Sequence, residues 1–329
     1  MNDTPEIFDT QIYAEERIKF RRLAAKFGLA MIMLVLNNRF SPYLFVIIAA
    51  LFSGGAELSY TAILVINEFS AYLFPSIILT LMFREECRAF IPDRSYKPFF
   101  GEAALMFTAG MTIGMLGTVI TQSINDVIDY FFGTGEIPDA FAGIEPQNMG
   151  EFGIFAFCIC IIAPIAEELI FRNLLLKPLR AYGDLTAAIV TGLLFGLYHG
   201  NFDQFAYASL VGIFFSIIAI RHNSIVPTII IHAANNILVT FGGDLSAACQ
   251  NEPQNIRLIC ENISAVCSFI STLIFPLGFI AFIVCAAKKC FTLHNHNRFV
   301  PEREALTEFV KTPLVIIGII VMFIPFFVE

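Results

Sequence analysis

The sequence predicts an all-α fold: a polytopic transmembrane helical bundle of about eight to nine spans, whose motif-bearing helices enclose a cavity inside the membrane. Three observations lead there. Of 329 residues, 57% are hydrophobic and 15% charged, whereas soluble domains carry about 45–50% apolar and about 25% charged residues. The apolar residues gather in runs long enough to cross a bilayer as internally hydrogen-bonded helices. The short alternating segments of a membrane β-barrel are absent from the sequence.

The elements follow in chain order. Ala14–Phe27 reads as an amphipathic lead-in helix carrying Arg17, Lys19, Arg21, Arg22 and Lys26. Residues 1–26 are too long and too mixed in charge for a cleavable signal. The first apolar run, 24–52, is interrupted by "NNRFSP" and reads either as one kinked helix or as a helix plus a re-entrant piece. Further spans are expected at 59–83, 101–132, 151–176, 185–200, 204–220, 224–241, 263–287 and 312–328, each an apolar run with polar flanks. The last is about 17 residues long, near the lower limit for crossing. Residues 288–311 have the composition of a short surface helix. Three regions result: 1–150 with the lead-in and three spans, 151–243 with the polar motifs, and 244–329 with an extracytoplasmic loop and the C-terminal spans.

The net charge of −8 matters less than its distribution. No Lys or Arg lies between Lys97 and Arg172, an interval that holds Asp126, Asp129, Glu136, Asp139, Glu145 and Glu151. With nine spans alternating from a cytoplasmic N-terminus, the basic residues at 17–26, Arg84, Arg88, Arg94, Lys97, Lys177, Arg180, Arg221, Lys288 and Lys289 share one side. Loops 133–150 and 242–262 fall on the other, as the positive-inside rule requires. The expected location is the cell membrane, and the expected partners are the lipid bilayer and a membrane-associated protein or peptide. No basic stripe suits nucleic acid. Of eight cysteines, Cys158, Cys160, Cys267 and Cys285 read as small buried residues. Cys249 and Cys260 flank a polar loop and could form a disulfide on the extracytoplasmic side.

Against this apolar background "APIAEELIFR", Ala163–Arg172, stands out. A charge at the bilayer centre costs at least ~2.5–3.5 kcal/mol on insertion scales, and such residues usually face the bundle interior. Glu168 and Arg172 are i, i+4, one helix face, and read as a structural pair. Glu167 points about 100° away from Glu168 and has no such local partner.

Two other polar intrusions occur, "FGLYHG" with Phe195 and His199, and "HAANN" with His232, Asn235 and Asn236. His199 and His232 lie within or at the end of apolar spans, while His222, His294 and His296 sit in polar connections. Glu167 precedes the turn residue Gly183 by 16 positions and His199 follows it by 16. In an antiparallel hairpin both then stand roughly 24 Å from the turn. The segment before the turn holds Arg172, Lys177 and Arg180, so its last turns stand in the headgroup layer and Glu167 and His199 lie roughly 10–15 Å below the cytoplasmic interface. His232, nine residues after Asn223, lies roughly 13 Å from that interface. Asn236 is one turn from His232, and Phe195 one turn from His199. Carboxylate and imidazoles at one depth can hold and activate water, and His and Asn donors can stabilise an oxyanion.

The series E-E-x-x-x-R, F-x-x-x-H and H-x-x-x-N, present as "EELIFR", "FGLYH" and "HAANN", resembles the CPBP family, the CAAX protease and bacteriocin-processing (Abi) intramembrane proteases. The resemblance covers about 150–243. It implies an all-helical membrane peptidase in which Glu167 activates water, His199 assists, His232 and Asn236 stabilise the oxyanion, and Glu168, Arg172 and Phe195 support the motifs. It also admits zinc as a cofactor on Glu167, His199 and His232, since catalytic zinc uses His and carboxylate ligands with an open position. The sequence lacks H-E-x-x-H, which favours a metal-free glutamate mechanism with no cofactor. The family also includes immunity proteins and membrane regulators, so a non-proteolytic sensor or scaffold is the alternative. A proton-coupled transporter would also place Glu and His in the membrane, but the broken paired helices of inverted repeats are missing from the sequence.

Overall fold

The computed structural model describes residues 4–52, 59–90, 95–132, 146–180, 182–294 and 301–326. These residues form helices and no strand. The acidic stretch 133–145 with Glu136, Asp139 and Glu145, together with Arg94 and His296, lies outside the described residues.

Helix α1, Thr4–Phe52, runs unbroken through "NNRFSP", with Pro42 inside it. Its polar residues are satisfied rather than expelled. Asn37 Nδ2 donates to the Ser70 carbonyl at 2.9 Å, and Ser41 Oγ donates to the Asn37 carbonyl at 2.6 Å. The re-entrant alternative does not form. Helix α2, Tyr60–Met82, packs against α1 and is N-capped by Ser59, which accepts from the Ala62 N–H. The short α3, Arg84–Ala89, and the long α4, Glu102–Phe132, follow.

Residues Met149–Arg180 form one continuous apolar helix with two changes of register. It comprises α5 (Met149–Phe157), a π-helical stretch Cys158–Ile162, α6 (Ala163–Glu168), a second π-stretch Leu169–Leu175, and α7 (Leu176–Arg180). Pro164 explains the first. A proline inside a helix lacks its N–H and crowds the carbonyl four residues back. Widening the turn relieves the clash, and the Ala163 N–H bonds to the Cys158 carbonyl, five residues back.

A tight turn at Gly183, whose φ of 121° suits glycine, reverses the chain into α8, Asp184–Tyr198. Then come α9 (Phe202–His222), α10 (Val226–Ala248), α11 (Gln254–Ala287), α12 (Glu302–Lys311) and α13 (Pro313–Phe323). Helix α9 packs closely on α8 and α4, α4 on α11, and α13 on α1. At the α8–α9 contact a Cβ on Gly196 would stand 2.0 Å from Ser209 Oγ and 2.6 Å from the Phe205 carbonyl.

Among the described residues seven helices are long and apolar enough to cross a membrane, or eight if α12 and α13, bent by 71°, count as one span. The upper figure meets the lower end of the expected eight to nine spans. Helix α8 has 15 residues, only about 22 Å of rise against a hydrocarbon core of about 30 Å. It is an apolar helix walled in by protein.

One end of the bundle is a polar layer. Arg180 pairs with Asp184 at 2.8 Å, and Arg221 with Glu102. Tyr96 donates to Asp184 at 2.7 Å and accepts from the His294 N–H. Burial, then the bond to Asp184, push the Tyr96 phenol up. Arg17 and Arg21 pair with Glu308, tying α1 to α12. The expected basic side is thus physically assembled for Arg180, Arg221 and the 288–294 segment. Far from these pairs, Cys249 and Cys260 are disulfide-bonded between the end of α10 and the start of α11. Cys158, Cys160 and Cys285 are buried free thiols, and Cys267 is half-buried.

Candidate active site inside the helical bundle

The two adjacent glutamates of α6 have different nearest partners, Tyr72 for Glu167 and Arg172 for Glu168, and share His232. Glu168 is fully buried and stands 3.0 Å from Arg172 Nη1, the expected i, i+4 pair, both side chains having no solvent exposure. The contact is an ion pair rather than an aligned hydrogen bond, since Nη1 and Nε lack hydrogen-bond acceptors. Arg172 Nη2 donates to the Gly212 carbonyl at 3.2 Å. The guanidinium lies 4.4 Å over the Phe195 ring and 5.3 Å over Phe215, which lowers the cost of burying it.

Glu168 has a second partner that sequence spacing did not show. His232 Nδ1 donates to Glu168 Oε1 at 3.1 Å. The other ring nitrogen, Nε2, lies 3.6 Å from Glu167 Oε2. His232 therefore bridges the two carboxylates, while the sequence reading had paired the imidazoles with Glu167 alone.

Glu167 is 8% exposed. Its Oε1 accepts from the Tyr72 hydroxyl of α2 at 2.7 Å. Tyr72 is a site residue that the sequence reading missed. Glu68, one turn earlier on α2, is another. It interacts electrostatically with Glu167 and Tyr72, and its Oε2 is buried with no hydrogen-bond partner among the described residues. Glu68 and Tyr72 are i, i+4 within an apolar run, the same signal that singled out Glu168 and Arg172.

His199 ends α8. Its Nδ1 lies 2.8 Å from the Phe195 carbonyl. A carbonyl only accepts, so Nδ1 carries the hydrogen and the neutral ring leaves Nε2 bare. The ring is close enough to interact electrostatically with Glu167 and His232. Phe195 stands between the imidazoles, edge-on to His199 at 4.9 Å and to His232 at 5.9 Å. That ring sets their spacing.

Asn236 has a partner in the backbone of the site helix. Its Nδ2 donates to the Ile159 carbonyl at 2.9 Å, and its Oδ1 accepts from Asn235 Nδ2 at 3.3 Å. One of its two amide hydrogens is therefore committed. Asn235, the more buried of the pair, accepts from the Tyr207 hydroxyl at 3.3 Å.

Among the described residues no group of three His, Cys, Asp or Glu is arranged to hold a metal ion. The donor set Glu167, His199 and His232 does not fit zinc as it stands. What the arrangement can do is hold a water between the Glu167 carboxylate and the bare Nε2 of His199, in a site screened by aromatic rings.

Residues 150–238 match a family model described as type II CAAX prenyl endopeptidase, Rce1-like. The match covers less than a third of the chain, yet it contains Glu167, Glu168, Arg172, Phe195, His199, His232 and Asn236. It supports membership of the CPBP family, a family of CAAX-type intramembrane proteases, and with the apolar helices it supports a multi-pass membrane protein. Comparison with curated proteins and with solved structures yields no match.

Proposed function

We propose that this chain is an intramembrane endopeptidase that hydrolyses a peptide bond of a membrane-associated or lipidated substrate, with Glu167 activating the water and no metal taking part. The observation that carries this reading is the state of Glu167. One oxygen is anchored by Tyr72, and the other faces His232 Nε2 at 3.6 Å, too far for a direct hydrogen bond. A water donating to Glu167 Oε2, and to the bare Nε2 of His199 as it approaches, satisfies those acceptors. Glu167 takes one proton, the remaining hydroxide oxygen bonds to the scissile carbonyl carbon, and the carbonyl oxygen becomes an oxyanion. His232, as imidazolium, and the uncommitted N–H of Asn236 offer donors to that oxyanion. Glu168 holds the other side of the His232 ring and compensates its charge. The C–N bond then breaks, and the proton on Glu167 passes to the departing amine. Glu68 Oε2, lacking a donor, offers an acceptor to a substrate N–H or a second water.

The same reading puts the N-terminus on the cytoplasmic side, supported by the gathering of Arg180, Arg221 and their neighbours at one end of the bundle. The test is cleavage of lipidated and unlipidated membrane peptides in proteoliposomes, with products identified by mass spectrometry. Wild type should cut and Glu167→Gln should not, at equal yield. If Glu167→Gln retained full cellular function, the non-proteolytic scaffold would take the lead.

A further inference from the structure

Helices α8 and α9 form a hairpin that enters the bundle from its basic end and turns back at His199–Asn201. Its two feet are pinned in the polar layer, α8 by Asp184 on Arg180 and α9 by Arg221 on Glu102. The contact with α4 gives the height of the turn. From the Arg221–Glu102 pair the two helices run antiparallel, Gly110 against Phe214 and Gly117 against Leu210 and Ala206. Helix α9 starts at Phe202, one turn beyond Ala206, whereas α4 continues to Phe132, roughly 16 Å further. The other helices of the site also run on. The site helix begins at Met149 and α2 at Tyr60, while α10 ends only at Ala248. Those ends stand roughly 27, 18 and 24 Å from Glu167, Tyr72 and His232. The site thus lies at the height where α8 and α9 stop and four neighbouring helices go on.

The two sides of the site differ in packing. Toward the basic end Phe171, Leu175, Phe195 and Phe215 are at most 3% exposed. A cavity of about 220 Å³ opens on that side between Lys177, Arg180 and Asn223, but its lining includes neither Glu168 nor His232. It reaches no deeper than Arg172, whose side chain has no solvent exposure. Away from the basic end the seal is missing. His199, Gly200, Asn201 and Gln204 at the hairpin tip are half-buried, whereas between Ala208 and Arg221 only Leu210 and Ile213 escape full burial. The tip is polar, Asn201 accepting from the Gln204 N–H to cap α9. Glu68 Oε2, one turn outward of Tyr72, has no hydrogen-bond partner. Beyond it Tyr60, Glu151 and Asp244 lie close enough to interact electrostatically, so three of the continuing helices end in polar groups. Polar side chains at membrane depth face protein partners or water, not lipid.

The end toward which the hairpin tip points is also the end that carries the Cys249–Cys260 disulfide, between α10 and α11. Disulfides persist in oxidising compartments, and the basic layer at the opposite end marks the cytoplasmic side. We infer that substrate reaches Glu167 from the disulfide-bearing, extracytoplasmic end, over the tip of the α8–α9 hairpin. The substrate class is then a membrane-anchored peptide whose scissile segment lies on the extracytoplasmic side, not one presented from the cytoplasm. The substrate class rests on the peptidase reading, whereas the route itself does not.

The first arm of the test reads the route without turnover. The full chain carrying Gln204→Cys is expressed in bacterial cells. Spheroplasts, which present the disulfide end, are compared with inverted membrane vesicles, which present the basic end. The probe is the charged thiol reagent methanethiosulfonate ethylsulfonate, with wild type as the background for the native free thiols. Gln204→Cys should react at least about tenfold faster in spheroplasts. Lys97→Cys, exposed beside the basic layer, should react only in inverted vesicles. Phe202→Cys repeats the measurement at a second tip position if Gln204→Cys folds poorly. The second arm gives both preparations a lipid-anchored peptide with a water-exposed cleavable stretch. Spheroplasts should cut it, and Glu167→Gln should abolish the cut. Faster labelling in inverted vesicles, equal labelling from both sides, or none at either tip position overturns the route. Cleavage in inverted vesicles alone overturns the substrate class. Labelling from the disulfide side with no cleavage in either preparation or in detergent keeps the route and rejects the peptidase reading.

Discussion

Arg172→Met tests the energetics of the buried layer most directly. The substitution keeps most of the side-chain volume and removes the charge. Glu168, with no solvent exposure, is then left 3.1 Å from His232 and without its cation. Stranding one member of a buried pair costs about 3–5 kcal/mol, a change of roughly 10²–10³-fold or more in the folded population at about 1.4 kcal/mol per tenfold. The Gly212 carbonyl adds little to this, because Ser216 Oγ also donates to it at 2.9 Å. Adding Glu168→Gln on top neutralises the stranded charge while leaving an oxygen for His232 Nδ1–H. The double variant should recover at least about 2 kcal/mol of the loss. Turnover should stay lower by about tenfold, because a neutral acceptor replaces a charged one behind His232. The chain has no tryptophan, so unfolding is best followed by circular dichroism in mixed micelles of rising SDS content. If Arg172→Met falls within about 1 kcal/mol of wild type, or if the double variant simply adds the two single losses, the pair does not do what its geometry says.

Tyr72→Phe removes one charge-assisted hydrogen bond to Glu167 and should lower kcat by about 10–100-fold with KM little changed; an unchanged kcat in the peptide assay would remove Tyr72 from the mechanism. Asn236→Ala should cost about 1–3 kcal/mol of stability by orphaning the Ile159 carbonyl, read in the same SDS titration, and a rate loss with no stability loss would mean that its main duty is the oxyanion after all. Gly196→Ala forces a Cβ against the Phe205 backbone and should reduce the yield of folded protein; normal yield would show that α8 and α9 can part. A strong chelator should leave turnover intact, and inactivation that zinc reverses would replace the glutamate mechanism with a zinc one on a rearranged site.

Much of this was legible because charged residues in an apolar chain advertise themselves. Glu168 and Arg172 were readable from a spacing that any helix turns into contact. The convergence of Glu167, His199 and His232 was readable from counting residues to a turn at Gly183 and from the start of the next helix. Other parts were not. The distinction between a lipid-facing span and a protein-enclosed helix is invisible in apolar content, so 185–200 read as a span although α8 is a short buried element. Tyr72 and Glu68 were passed over because α2 carries no family motif, although an intramembrane acid there deserved the same argument as Glu167. The assignment of His232 Nδ1 to Glu168 depends on helix rotation, which residue spacing does not encode.

Asn236 shows how one backbone irregularity decides a side chain's duty. In a regular helix the Ile159 carbonyl would accept from the Ala163 N–H, four residues on. The π-turn diverts that N–H to the Cys158 carbonyl. The next donor in π register would be residue 164, which is proline and has no N–H. Pro164 therefore leaves the Ile159 carbonyl without an intrahelical donor, in an apolar environment where an orphaned carbonyl is costly. Asn236 Nδ2 fills the vacancy at 2.9 Å. The bond fixes the rotation of α10 against the site helix, and His232 lies one turn away on the same face of α10. The proline three residues before Glu167 thus orients the imidazole that faces Glu167, through a bond that touches neither carboxylate.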